Sequence, residues 1–215
     1  MKKALLGAAL MLPMPLFANL YVCEGPAGCT LQGAGIENIL LNDNDIGNPI
    51  TGTTNQTGTL VDFTSGTDIL ITQGNGQSEL RAQDGVINEL TFYAQDTGLG
   101  FEHVVFNIGA AADTIISLSA VDNFGTLFDF GDFVADGSGQ NFFTIGSDDI
   151  QYARTVSIAG DGINALTELQ QIRVNPDLIP DCPDCGPDPQ SVSSPGHLAL
   201  LSLGLLGLLQ ARRRK

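Results

Sequence analysis

Tryptophan is absent from this chain, and lysine is absent from everything between its two ends. Of the nine basic residues, six are terminal: Lys2, Lys3, Arg212, Arg213, Arg214 and Lys215. Only Arg81, Arg154 and Arg173 lie between them, against 24 carboxylates from Glu24 to Asp188, a formal charge of −21. Such a surface repels nucleic acid and anionic lipid, so neither is expected as a partner. Catalytic signatures are missing too. There is no G-x-S-x-G, no H-E-x-x-H and no P-loop. One histidine, His103, stands in the interior of the chain, in a strand-like run, where a structural role outweighs a place in a Ser/His/Asp triad. The pattern therefore predicts a protein that is not an enzyme. Lack of tryptophan weakens the case for a sugar cleft without forbidding one, because tyrosine and phenylalanine also stack on sugars.

What is present is concentrated first at the ends. Lys2 and Lys3 precede an apolar run from Ala4 through Phe17, and Ala18 is a small residue suited to cleavage, so residues 1–18 read as a secretory signal peptide. At the other end Pro195 and Gly196 open a Leu/Gly/Ala run, Leu198 to Leu209, with no polar face. Arg212, Arg213, Arg214 and Lys215 follow it. Apolar surface of this kind is costly in water, and a basic cluster behind it is retained on the cytoplasmic side of a membrane. The run is short for a spanning helix, which needs about 17–25 residues. Transient insertion into the inner membrane is the expectation.

The pair of signals resembles the PEP-CTERM family of exported proteins. The resemblance rests on the stretch LALLSLGLLGLL and the ARRRK end, with Ser193-Ser194-Pro195 standing where that family has Pro-Glu-Pro. Looser likeness to the extracellular domains carried by such tails lies in Thr53–Gly58, Ser138–Thr144 and Leu169–Val174. The resemblance implies a Gram-negative bacterium and an exosortase-type processing protease acting near Pro195. It further implies release to the cell surface or to the extracellular polysaccharide matrix.

Between the ends, short β-rich runs are separated by Gly, Asn and Asp, and no helical stripe is evident. Strands are expected near Ile36–Leu41, Gly58–Phe63, Asp68–Thr72, Ser78–Gln83, Glu89–Gln95, Phe101–Ile108, Thr114–Val121, Thr126–Phe130, Asn141–Ile145, Gln151–Ile158 and Gln170–Val174. In the run around Val105 both faces are apolar, Val104, Phe106 and Ile108 on one and Phe101, His103 and Val105 on the other, as in a strand covered on both sides. Turn chemistry at Asp84-Gly85, Asp122-Asn123 and Asp136–Gly139 fits hairpins. The pattern predicts an all-β domain over 19–175, an antiparallel, jelly-roll-like β-sandwich rather than a barrel. Residues 176–194, dense in proline and aspartate, read as an extended linker, and 195–215 as the sorting tail with its hydrophobic helix.

Cys23, Cys29, Cys182 and Cys185 are an even set in an exported chain, which reads as disulfides. Local pairs, Cys23–Cys29 and Cys182–Cys185, are preferred among the three pairings; a four-thiolate zinc site is the rival. No cofactor motif is present. Ca²⁺ is the one ligand the loops suggest: Asn42-Asp43-Asn44-Asp45 offers oxygen at alternate positions, with Asp43 and Asp45 as ligands, and Asp148-Asp149 and Asp136-Gly137-Ser138 are secondary. The Thr-rich segment Thr51–Thr59 lacks the repeat that an ice-binding array needs. The expected function is that of a surface or matrix protein associated with extracellular polysaccharide. The alternatives are a secreted polysaccharide hydrolase using two acidic residues, and a calcium-dependent carbohydrate-binding module.

Overall fold

Antiparallel strands make up the whole regular structure of the computed structural model, which describes residues 20–25, 35–74, 78–147, 151–161 and 166–179. The expected signal peptide and sorting tail lie outside the described residues. So do Cys29, Cys182, Cys185, Pro195, Gly196, Arg212, Arg213 and Arg214, and most of the Pro/Asp-rich linker.

The strands are β1 (Leu20–Glu24), β2 (Glu37–Leu40), β3 (Ile46–Gly47), β4 (Ile50–Thr54), β5 (Leu60–Thr64), β6 (Leu70–Gly74), β7 (Ser78–Ala82), β8 (Glu89–Ala94), β9 (Leu99–Ala110), β10 (Thr114–Asp122), β11 (Leu127–Ala135), β12 (Asn141–Ser147), β13 (Ala153–Gly160) and β14 (Leu166–Leu178). All eleven expected strands are there. β1, β3 and β4 are additional, and among the described residues there is no helix.

The jelly-roll sandwich is corrected. Seven strands close into a barrel in the order β9–β13–β8–β5–β4–β2–β14 and back to β9. β12 and β1 extend the sheet from β9, β7, β6 and β3 extend it from β14, and β10 and β11 extend it from β13. Inward/outward alternation is common to sandwiches and barrels, so it could not separate them. What decides is the long β9–β14 pairing, Leu99↔Leu178 to Ala110↔Leu166, with three register shifts. Each such irregularity bends the strand and lets two facing sheets join.

One of these shifts also corrects a face. Asn175 pairs with His103 but Pro176 pairs with Phe101, so Glu102 is an extra residue and the alternation slips. Phe101 therefore joins Val104, Phe106 and Ile108 in the core, not His103 and Val105. The expected two-sided burial holds, since every residue from His103 to Ile108 is buried. The same bulge explains why Pro176 and Asp177 belong to β14 and not to a linker starting at 176. A proline without an N–H is tolerated where pairing is already interrupted.

With no tryptophan available, phenyl rings carry the core. Phe63, Phe92, Phe106, Phe143 and Phe133 run in sequence through it, with centroid separations of 5.5, 6.2, 5.9 and 5.4 Å. Phe101 joins at Phe92, 6.4 Å away. These are the separations at which aromatic pairs gain beyond simple burial.

Candidate binding face

The inward residues of β5, β8 and β13 are phenylalanine, valine, leucine, isoleucine and alanine; their outward neighbours include the hydroxyl-bearing Thr64, Thr91, Tyr93, Thr155 and Ser157. Register aligns these outward residues into rows that cross the sheet. One row runs Thr51, Asp62, Tyr93, Thr155, Val121 and Leu127 over β4, β5, β8, β13, β10 and β11. The next runs Thr64, Thr91, Ser157, Ser119 and Asp129. A third runs Glu89, Ala159, Ser117 and Asp132. Adjacent strands are about 4.8 Å apart, which sets the spacing along each row.

The rows are tied by hydrogen bonds. The Thr91 and Ser157 hydroxyls are 2.9 Å apart, and the Thr64 hydroxyl donates to the Thr91 carbonyl at 3.3 Å. The Ser117 hydroxyl donates to Asp132 Oδ1 at 2.6 Å. Asp129 and Asp132, three apart in sequence, share the outer face because Phe130 is an extra residue opposite Leu118/Ser119. Gly131 takes the φ of +83° that this bulge needs, a value strained for any residue with a Cβ.

The most enclosed acid on the face is Asp62, 9% exposed. Its Oδ1 accepts from the Thr51 hydroxyl at 2.6 Å and from Gln95 Nε2 at 2.8 Å. Tyr93 is its cross-strand partner on one side and Thr51 on the other. The arrangement offers carboxylate and amide groups beside a half-buried aromatic ring, with further hydroxyls along the row, and no basic side chain belongs to the three rows. Chemically it can exchange hydrogen bonds with a hydroxyl-rich ligand and stack on an apolar ring face.

Most other buried acids are turn clamps. Glu37, 3% exposed, accepts at Oε2 from the backbone N–H groups of Gln56 and Thr57, at 2.9 and 2.8 Å. Burial, the largest single influence, pushes its carboxyl up. The donors from Thr57, Gln56 and Thr54 together outweigh it and hold the group below its ordinary value. Asp68 is likewise held low: burial raises it, but Asn88, Ser65 and Thr67 donate to the charged form. Asp136, an exposed acid, is held low by the Ser138 backbone N–H and hydroxyl. Asp122, fully buried, receives the N–H groups of Phe124 and Thr126 and Gln151 Nε2.

Asp43 and Asp45 lie exposed in the connection between β2 and β3. Thr72 ties that connection: its hydroxyl receives the Asp45 N–H at 2.8 Å and donates to the Asn42 carbonyl at 2.5 Å, and its N–H donates to the Asp45 carbonyl at 2.9 Å. Among the described residues no three His, Cys, Asp or Glu side chains gather as a metal site. Asp136 sits in its own turn with Ser138; Asp148 and Asp149 lie outside the described residues. The Thr-rich segment makes a turn, with the Thr54, Thr57 and Thr59 hydroxyls bonded to one another.

His103 is 7% exposed, with Nδ1 3.9 Å from Glu102 Oε2, which in turn accepts from Asn175 Nδ2. Burial, then the charges of Asp177 and Glu102, raise the nearby Tyr152 phenol above its ordinary 10.0. Of the paired carboxylates a hydrolase would need, Glu79 and Glu168 do meet. Both are taken up by Arg81, and Gln170 Nε2 donates to both. Cys23, in β1, is disulfide-bonded, and its partner lies outside the described residues.

The hydroxyl rows are what the sequence reading missed. Thr64, Thr91, Ser157 and Ser119 are scattered over 94 positions, and only register brings them into line. Period-2 placement of Thr and Ser was the available signal, and it marks an outward face without saying which strands are neighbours. No protein-family model, curated protein or solved structure matches this chain.

Proposed function

We propose that this is an exported, non-enzymatic surface or matrix protein that associates with extracellular polysaccharide through the outer face of β4, β5, β8, β13, β10 and β11. The observation that carries the reading is the alignment of Thr, Ser, Asp and Tyr side chains into rows that include no basic residue, the one neighbouring cation, Arg154, donating from Nη2 to the Thr97 carbonyl at 3.1 Å. Export and sorting rest on the two terminal signals and their resemblance to PEP-CTERM proteins: Lys2 through Ala18 at one end, and Pro195, Gly196 and Arg212–Arg214 at the other. In this reading an exosortase-type protease removes the tail near Pro195 after transient passage through the inner membrane. Local pairing, Cys23 with Cys29 and Cys182 with Cys185, belongs to the same proposal.

The test is the intact mass of the protein recovered from the outer fraction of a producing culture. A mass running from near Asn19 to near Pro195, in material that co-fractionates with the matrix polysaccharide, supports the proposal. A mass retaining the Arg-rich end, found with the inner membrane, makes the chain a tail-anchored protein and removes the matrix assignment.

A further inference from the structure

Charge on the face restricts which polymer fits. Asp62, Glu89, Asp129 and Asp132 all belong to the rows, and the interior of the chain carries −21. Against these four carboxylates the one neighbouring cation is Arg154, whose Nη2 donates to the Thr97 carbonyl, so the face is net negative and a polyanion is repelled. A neutral polymer meets groups that match its hydroxyls, because a hydroxyl both donates and accepts while a carboxylate accepts only.

Geometry gives direction. The polar groups line up across the strands and not along them, and their repeat of about 4.8 Å is close to the length of one sugar ring in an extended chain. On the row Thr51, Asp62, Tyr93, Thr155 the best-equipped point is the middle. Asp62 Oδ1 is filled by Thr51 and Gln95, and no bond from the described residues is directed at Oδ2. Beside it stands Tyr93, half-buried and so held in place, next to Thr155.

We infer that Asp62, Gln95 and Tyr93 form a subsite for one sugar residue of an uncharged, extended polysaccharide lying across the strands from Thr51 towards Val121 and Leu127. Tyr93 supplies the stacking surface, Asp62 Oδ2 accepts a sugar hydroxyl, and Gln95 fixes the carboxylate. The inference rests on the polysaccharide reading above and adds the site, the polymer class and the direction of the chain.

Affinity electrophoresis of the full chain, in gels containing hydroxyethylcellulose, galactomannan or alginate, tests it. The expected result is retardation by a neutral polymer and none by alginate. Tyr93→Ala should weaken retardation about tenfold, as loss of a central aromatic anchor does. Gln95→Ala, at an exposed position, should weaken it less and lower thermal melting only slightly, because Asp62 Oδ1 keeps the Thr51 hydroxyl, so the site stays testable if Tyr93→Ala folds poorly. Leu178→Ala, at the exposed end of β14, should bind as the parent chain does. Retardation by alginate as strong as by the neutral polymers would overturn the choice of polymer. Retardation unaffected by Gln95→Ala and by a folded Tyr93→Ala would move the site elsewhere and leave the polysaccharide association standing. No retardation in any gel overturns the subsite; if the protein also separates from the matrix polymer on fractionation, the functional reading falls with it.

Discussion

Among the described residues Ala153 and Phe101 are the one pair in ladder register between β13 and β9, and with that pair the seven-strand ring closes. The junction is tight. A Cβ added at Gly100 would sit 2.6 Å from Tyr152 Cβ and 3.2 Å from Ile179 Cγ1. Gly100→Val therefore forces Tyr152, and with it the start of β13, away from β9. The expected cost is about 1–3 kcal/mol, the usual range for overpacking. A urea midpoint equal to that of the parent chain would mean that the closure contributes nothing to stability.

Phe92 touches three other rings, Phe63, Phe101 and Phe106, and is fully buried. Phe92→Ala removes the ring that joins the β5 side of the core to β9. Truncation of a buried phenylalanine costs about 3–5 kcal/mol, because the cavity adds to the lost transfer energy. Phe124→Ala, at a 59% exposed position, serves as the contrasting variant and should change stability little. Calorimetric melting of the two variants side by side checks the pair.

The strands were readable because each buries one face, and alternation records that locally. Leu90, Phe92 and Ala94 point inward while Thr91 and Tyr93 point outward, as the letters suggest. β3 was missed because two residues, Ile46 and Gly47, are too short to show any period. Closure was not readable, because it depends on non-local pairing and on bulges. Nothing in the local pattern at Glu102 announces that Phe101 will turn inward. The binding face failed to appear for the same reason: its neighbours in space, such as Thr91 and Ser157, are 66 residues apart. Acidic loops were visible, but their chemistry was not. Oxygen-rich turns look alike whether a cation or a backbone N–H group fills them, and at Glu37 and Asp122 the structure shows backbone N–H groups in that place.

Thr72 gives a way to separate those two uses of oxygen at Asp43 and Asp45. Its hydroxyl holds the Asp45 N–H and the Asn42 carbonyl, so Thr72→Val leaves both without that partner. The side chain is 2% exposed, and unpaired groups there cost about 1–3 kcal/mol. If the turn is held by Thr72 alone, millimolar Ca²⁺ will not restore the melting temperature of the variant. Recovery with Ca²⁺, lost again in Asp43→Asn/Asp45→Asn, would establish these two aspartates as calcium ligands.

Acid stability follows from Glu37 and Asp68. Both carboxyls are held below their ordinary values, 4.5 and 3.8, so the folded chain keeps them charged where the unfolded chain would take up protons. A depressed carboxyl contributes stability that is fully present above the unfolded value and is lost as pH falls through the folded one. The urea midpoint should therefore hold steady from pH 7 down to about 5 and then decline as the pH drops past 4.5 and 3.8. Glu37→Gln removes the charge, so its midpoint should lie below the parent's at pH 7 and approach it at pH 3. Glu37→Ala also strips the acceptor from the Gln56 and Thr57 N–H groups and should cost about 1–3 kcal/mol at neutral pH. A Glu37→Gln midpoint that falls in parallel with the parent's from pH 7 to pH 3 would show that this carboxylate gains nothing from its place in the turn.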